Sequence, residues 1–156
     1  MKKVLFIAST GGHLDELMQL KPIFQNYDYH IVTEKDKSTK ILKKIYGTRI
    51  SYLIHGTRRK ILTYPFKFAL NFFKTLAIHL KTKPKYIVAT GAHTSVCSCY
   101  LGKLFGSKII FIETFANIET RTLSGRMIYP ISDLFIVQWE NMLKLYPKAI
   151  LGGAIY

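Results

Sequence analysis

The sequence predicts an α/β fold, a doubly wound parallel sheet, filling one domain over residues 1–156. Two observations predict it. Apolar, β-branched runs recur along the chain, short and continuous rather than alternating, as in parallel strands covered on both faces. Between them lie stretches with apolar residues at helical spacing, and strand–helix alternation with short connections gives right-handed crossovers onto a parallel sheet.

The first strand is Val4 to Ala8, a run too short for a signal sequence or a membrane span, and it ends at Gly-Gly-His. Leu14, Leu17, Met18, Leu20 and Phe24 form the apolar stripe of the helical segment that follows. Tyr29 to Thr33 is the second strand, Ile41, Leu42 and Ile45 mark a helix, and Ile50 to Ile54 is the third strand. A long helix begins near Thr63 or Tyr64 with Pro65 in its first turn, and a fourth strand runs from Tyr86 to Ala89. Val96, Tyr100, Leu101 and Leu104 give the next helical stripe. Strands at Lys108 to Ile112, Leu134 to Val137 and Ala149 to Leu151 complete the sheet.

Composition sets the bounds. A second core would need roughly 100 further residues. Apolar residues at 49% and aromatics at 13% exclude the weakly hydrophobic composition of disordered chains. The net charge is +14, and between Lys35 and Lys83 thirteen basic residues face a single acid, Asp36, so twelve of the fourteen net charges sit in one stretch. A single basic segment predicts one face meeting one anionic partner. No nucleic-acid motif accompanies it, and nucleic acid is not expected. Cys97 and Cys99 are too close for a disulfide and lack zinc-site spacing, so the reading is of two small helix residues in a reducing compartment, with no metal and no cofactor.

In a sheet of this kind the working residues lie just beyond the carboxyl ends of the strands. Three such junctions stand out. After the first strand come Thr10, Gly11, Gly12 and His13, where two glycines let a backbone approach a phosphate or hydroxyl and leave the first helical N–H groups free. His13 is a candidate base or phosphate ligand, because imidazole titrates near neutrality; a plain tight turn and helix start is the competing reading. Asp15 and Glu16 read as first-turn acids that complement the helix dipole. After the fourth strand Gly91 and Ser95 flank His93, an anion or hydroxyl site or an N-cap. After the fifth strand Glu113 and Thr114 follow a fully apolar run, and a carboxylate there either binds a sugar hydroxyl, orders the adjacent loop or bonds loop backbone. Arg121 and Arg126 lie downstream, where they could meet a diphosphate or stay solvated.

From Arg58 to Lys83 there are seven basic residues and no acid. Lys60, Lys67, Lys74 and Lys81 recur every seven residues and form one slowly drifting stripe on a helix, joined by Asn71. Leu62, Phe66, Ala69, Phe73, Leu76 and Leu80 occupy the opposite face, with Phe72 at its edge. Its longest uncharged stretches are six residues, Phe68 to Phe73 and Thr75 to Leu80, too short to span a bilayer. The expected membrane-contact set is Arg58, Arg59, Lys60, Phe66, Lys67, Phe72, Phe73, Lys74 and Lys81, lying in the interface with lysines reaching anionic head groups. The competing reading packs the apolar face on the sheet.

Taken together, STGGHLDELMQL, ATGAHTSV, FIETFA and SDLFIVQWENMLKLYPKAILGG resemble the small membrane-associated subunit of two-chain glycosyltransferases. The capsular and exopolysaccharide proteins of the CpsF/PssD type belong to that group, as does the subunit that recruits the catalytic chain of the dolichol-pathway N-acetylglucosaminyltransferase. The resemblance covers essentially the whole chain. It implies a Rossmann-like fold equivalent to the N-terminal half of a GT-B glycosyltransferase such as MurG, the half that faces the membrane and a lipid-linked acceptor. The nucleotide-sugar site would belong to a separate catalytic chain. Gly11, Gly12 and His13 match the Gly-Gly-His ending MurG's first glycine-rich loop, near the acceptor's phosphate and reacting hydroxyl. Glu113 matches the glutamate after MurG's central strand, with Ile112 and Thr114 replacing the flanking His and Gln.

The function expected is an accessory, acceptor-binding subunit, inactive without its partner, that sits peripherally on the cytoplasmic face of the membrane in capsule or exopolysaccharide synthesis. His13 and Glu113 are the expected base and its helper. Thr10, Gly11, Gly12, Gly91, His93, Ser95, Thr114, Arg121 and Arg126 are the acceptor-binding set. Ile150, Leu151, Ile155 and Tyr156 are expected near the partner, because chain ends and linkers are exposed at an interdomain cleft. The alternatives are a stand-alone nucleotide-sugar enzyme such as an epimerase, and a non-catalytic membrane adaptor.

Overall fold

The computed structural model describes residues 1–55 and 64–156. Its strands are β1 (Lys3–Ile7), β2 (Asp28–Lys35), β3 (Ile50–Ile54), β4 (Tyr86–Ala89), β5 (Lys108–Ile112), β6 (Leu134–Val137) and β7 (Ile150–Leu151). All pair in parallel in the order β3-β2-β1-β4-β5-β6-β7. The chain winds outward one way from β1 and then returns to wind the other way from β4, so the crevice between these two strands is the topological switch point.

Alternation along the strands builds a core on each face. Val4, Phe6 and Ala8 point to the side covered by α1 (Gly12–Gln19), α2 (Lys21–Phe24) and α3 (Lys40–Tyr46), where they meet Leu14, Leu17, Phe24 and Tyr46. Leu5, Ile7, Ile87 and Ile109 point the other way, toward the side of α4 (Tyr64–Thr82), α5 (His93–Leu104) and α6 (Leu123–Ile128), among them Cys99 and Ile128. Each of these fully buried aliphatic side chains contributes roughly 1.5–3 kcal/mol through the area it removes from water.

The helices stand where the periodicity places them, but two show a different face to the sheet. In α3 it is Tyr46 that is buried, while Ile41 and Ile45 are exposed. α5 buries its small residues Ser95, Ser98, Cys99 and Gly102 together with Leu101, and leaves Tyr100 and Leu104 outside. Small side chains allow the helix to come close; a β-carbon on Gly102 would overlap the Ile87 side chain.

In α4 it is the competing reading, an apolar face packed on the sheet, that the structure departs from. Phe66, Leu70, Phe73 and Leu80 are 76%, 53%, 65% and 57% exposed, so the apolar face does not pack on the sheet. The inward face is mixed instead, with Thr75 and His79 buried and Ile78 packed on the core. Asn71, expected on the outer lysine stripe, turns inward: its Oδ1 accepts from Ile54 N at 2.7 Å and its Nδ2 donates to Ile54 O at 2.8 Å. β3 is a sheet edge, and its last outward-pointing backbone groups need partners when a helix covers them. Asn71 supplies both. Lys74 and Lys81 are exposed, whereas Lys67 is half-buried and donates to His55 O at 3.4 Å. Arg58, Arg59, Lys60 and Leu62 lie outside the described residues.

Candidate functional site

The site is built from the junctions at the carboxyl edge of the sheet. Gly11, just before α1, and Gly12, its first residue, are exposed, and space is open where their β-carbons would lie. His13 follows in the first turn of α1, and its side chain is 26% exposed. Its ring rests on Gly91, the first glycine after β4, where an added β-carbon would come within 3.0 Å of the imidazole. Gly91 also has φ +102°, a backbone conformation other residues rarely adopt. Thr90 Oγ1 donates to His13 O at 2.6 Å, and Ser9 N donates to Gly91 O at 3.0 Å, so the two loops are fastened across the switch point. Gly91 is itself buried, and its lack of a β-carbon allows the close approach of His13.

Behind His13 stands Glu16. The dipole reading fails for it: Glu16 is 2% exposed. Its Oε1 accepts from Thr114 Oγ1 at 3.0 Å and from Phe115 N at 2.6 Å, which pins the loop after β5 against α1. Its Oε2 lies 3.7 Å from His13 Nδ1, and both atoms are buried without a hydrogen-bond partner among the described residues. His13 therefore has a carboxylate beside it, and that carboxylate is Glu16, not Glu113.

Glu113 is also buried, but it faces inward. Thr122 Oγ1 lies 2.9 and 3.0 Å from its two oxygens, Tyr146 OH donates to Oε2 at 2.8 Å, and its own neighbour's amide, Thr114 N, donates to Oε1 at 3.1 Å. Thr122 is the N-cap of α6 and accepts in turn from Gly125 N. Burial, then the Glu113 charge and hydrogen bond, push the Tyr146 phenol well above its ordinary value. Of the roles open to Glu113 from the sequence, ordering the adjacent loop fits this geometry, since three donors from its own surroundings already converge on the buried carboxylate.

Ser95 is fully buried and donates to Ala92 O, so it belongs to the turn rather than to a ligand contact. Arg121 donates to Leu145 O and stacks over the Tyr146 ring at 5.2 Å, which uses part of its fork; Arg126 is exposed on α6. Thr114 is half-buried on Glu16, and Thr10 is half-buried at the edge of the crevice.

One cluster went unread in the sequence. Glu34, at the end of β2, is 1% exposed. His55 Nδ1 lies 2.6 Å from its Oε2 and His93 Nε2 3.5 Å from its Oε1. Thr94 Oγ1 donates to Oε1 at 2.5 Å and Thr10 Oγ1 to Oε2 at 3.4 Å. Residues from four strand junctions thus meet on one carboxylate. The strand-end rule that found His13 and Glu113 also covers Glu34 and His55, but the run Lys35-Asp36-Lys37-Ser38-Thr39 reads as an ordinary charged turn.

At the other end of the sheet Ile150, Leu151 and Tyr156 are exposed, and the Tyr156 ring meets Phe115 edge-on at 5.7 Å. Ile155 is partly buried, and its amide donates to Gln138 Oε1.

A family model described as "Oligosaccharide biosynthesis protein Alg14 like" matches residues 4–155. The chain belongs to the Alg14 family. Among its curated relatives, the UDP-N-acetylglucosamine transferase subunit ALG14 of Candida albicans is 42% identical, with 96% of this chain and 76% of that protein covered. The mouse protein of the same name is 26% identical over 98% of this chain and 82% of its own. Among solved structures, Acinetobacter baumannii MurG superposes with TM-score 0.72 at 15% identity, covering 90% of this chain and 43% of that one. The UDP-N-acetylglucosamine 2-epimerase of Rickettsia bellii gives 0.73 at 18%, covering 99% and 45%. This Alg14-family chain spans less than half of either enzyme, and at such identities the likeness is one of fold: the N-terminal, Rossmann-like half of the GT-B architecture.

Proposed function

We propose that this chain is the acceptor-binding subunit of a two-chain inverting glycosyltransferase. It takes a polyprenyl-diphosphate-linked saccharide at a membrane surface and pairs with a catalytic chain that holds the UDP-sugar. The names of its Alg14 relatives support N-acetylglucosamine as the sugar moved.

The observation that carries this reading is the placement of α4. The helix begins beside the carboxyl edge, where Lys67 meets the His55 carbonyl, and turns Phe66, Leu70, Phe73 and Leu80 to solvent with Lys74 and Lys81 exposed. A helix with a mixed side against the protein and aromatics outside is suited to an interface, with lysine stems snorkelling to head groups. A lipid-linked acceptor anchored in that interface has its head within reach of the glycine loop. Among the described residues no helix is long and apolar enough to cross a membrane, so contact of this kind is peripheral. The cytoplasmic leaflet, and a role in capsule or exopolysaccharide assembly, are part of the proposal.

In this mechanism the exposed amides at Gly11 and Gly12 receive phosphoryl oxygens at the start of α1. His13 takes the proton of the attacking acceptor hydroxyl, and the Glu16 carboxylate beside it steadies the resulting imidazolium. Exposed Ile150, Leu151 and Tyr156 meet the catalytic chain.

The test is transfer from UDP-N-acetylglucosamine to a membrane-bound lipid acceptor, by the purified chain alone and together with the catalytic chain. Transfer by the mixture only is expected. Turnover or epimerisation by the chain alone defeats the proposal. His13→Ala is expected to lower kcat of the pair about 100-fold, and a loss within about threefold removes the base role.

A further inference from the structure

Glu34 takes no part in the proposed transfer step. It is a buried carboxylate at the end of β2, and the only ion-pair partners it has among the described residues are imidazoles. A buried carboxylate is costly unless donors converge on it. Here they do: Thr94, Thr10, His55 and His93 all address it. Thr94 is itself held, since it accepts from Ser9 Oγ at 3.0 Å, and Ser9 Oγ accepts from Ala92 N. The hydroxyls are committed inward. The imidazoles lead outward, His55 with a side chain 40% exposed and His93 with one 31% exposed, and His55 makes the shorter contact with the carboxylate.

The contact at 2.6 Å is made by Nδ1 of that ring. An ionised carboxylate only accepts hydrogen bonds, so His55 carries its proton on Nδ1, and in the neutral ring the lone pair stands on Nε2. Such a nitrogen takes a hydrogen bond from a hydroxyl. It gains nothing from a phosphoryl oxygen, which is another acceptor. His55 follows β3, two strand spacings or about 10 Å from β1, and lies on the side where α4 begins. Its ring reaches back to Glu34 on β2, on the flank of the crevice where α4 begins.

We propose that His55, held by Glu34, is a binding contact for a saccharide hydroxyl on the flank of the acceptor crevice where α4 begins, setting acceptor recognition rather than proton transfer. The identification of this saccharide as part of the lipid-linked acceptor rests on the proposed function; the hydroxyl contact does not.

The experiment follows the histidine ring nitrogens by ¹⁵N NMR in the full chain at about pH 8, where an ordinary imidazole is neutral. The expected spectrum has His55 protonated on Nδ1. Titration with methyl N-acetyl-β-D-glucosaminide is expected to shift His55 Nε2, inorganic pyrophosphate is expected to leave it in place, and Glu34→Gln is expected to abolish the shift. His55 protonated on Nε2, a shift with pyrophosphate alone, or no shift with either overturns the proposal. If Glu34→Gln does not fold, His55→Gln, at a partly exposed position, replaces it and is expected to cancel the glycoside's effect on the remaining spectrum. In the reconstituted pair, His55→Ala is expected to raise KM for the lipid acceptor about tenfold, the loss of one hydrogen bond, with kcat within about threefold. A collapse of kcat at unchanged KM overturns the recognition role. Should the pair show no transfer at all, the two-chain function falls, while the titration of the chain alone still decides the hydroxyl contact.

Discussion

Glu16, Glu34 and Glu113 are three buried carboxylates, and the difference between them lies in what each has left to offer. Glu113 accepts from Thr122, Tyr146 and Thr114, and its surroundings are tight: a β-carbon on Gly125 would overlap both Glu113 Oε2 and the Tyr146 hydroxyl. Gly125→Ala is therefore expected to cost about 1–3 kcal/mol in urea unfolding, the range for overpacking, while Gly12→Ala, with open space around it, is expected to cost far less. A titrating residue gives a second expectation. Burial holds His79 below its ordinary value of 6.5, against backbone hydrogen bonds at Thr75 and Ser98 that pull it up. The unfolded chain then binds the proton more readily than the folded one, so stability falls as pH drops below about 6.5 and the loss is complete only below the lowered folded value. His30, lowered by burial and by Lys81 and Lys43, acts with the same sign. In urea titrations between about pH 8 and 5, His79→Gln is expected to flatten this slope. At this scale the sequence was partly legible. It points to His13 and Glu113 because both follow apolar strands, but the direction a carboxylate faces depends on partners 9 to 33 residues away, such as Thr122 and Tyr146, which no local pattern names.

At the scale of elements, periodicity locates a helix without naming the face that packs. α4 has an aromatic side and a lysine stripe, and the ordinary inference buries the aromatics. The opposite holds because β3 is an edge whose last backbone groups face the helix, and a polar residue at Asn71 satisfies them where a leucine could not. Opposite substitutions on the two sides separate these roles. Phe66→Glu with Phe73→Glu is expected to abolish binding to vesicles containing anionic lipid, read by sedimentation, at nearly unchanged thermal stability, because both side chains are mostly exposed. Asn71→Leu is expected to lower stability by about 1–3 kcal/mol through two orphaned backbone groups. Equal vesicle binding by the double variant removes α4 from the membrane.

For the whole molecule, the fold class and the positions of β3, β4, β5 and β6 were legible because parallel strands buried on two faces write themselves as continuous apolar runs. Twelve of the fourteen net charges fall between Lys35 and Lys83, and that asymmetry predicts a salt-dependent association. Raising salt from about 0.05 to about 0.5 M is expected to weaken binding to anionic vesicles at least tenfold, since the Debye length contracts to within a few ångströms of the surface. Binding that ignores salt assigns it to the apolar face alone.

The Asn71 amide has a consequence for assembly. By occupying both outward groups of Ile54, it closes the carboxyl end of the β3 edge to any incoming strand, much as one more residue of a neighbouring strand would. The sheet's other margin, β7, carries exposed Ile150 and Leu151. A protein that extends this sheet by backbone pairing is thereby directed to β7, and growth of the sheet by repeated addition of identical chains, which needs two open margins, is obstructed from one side.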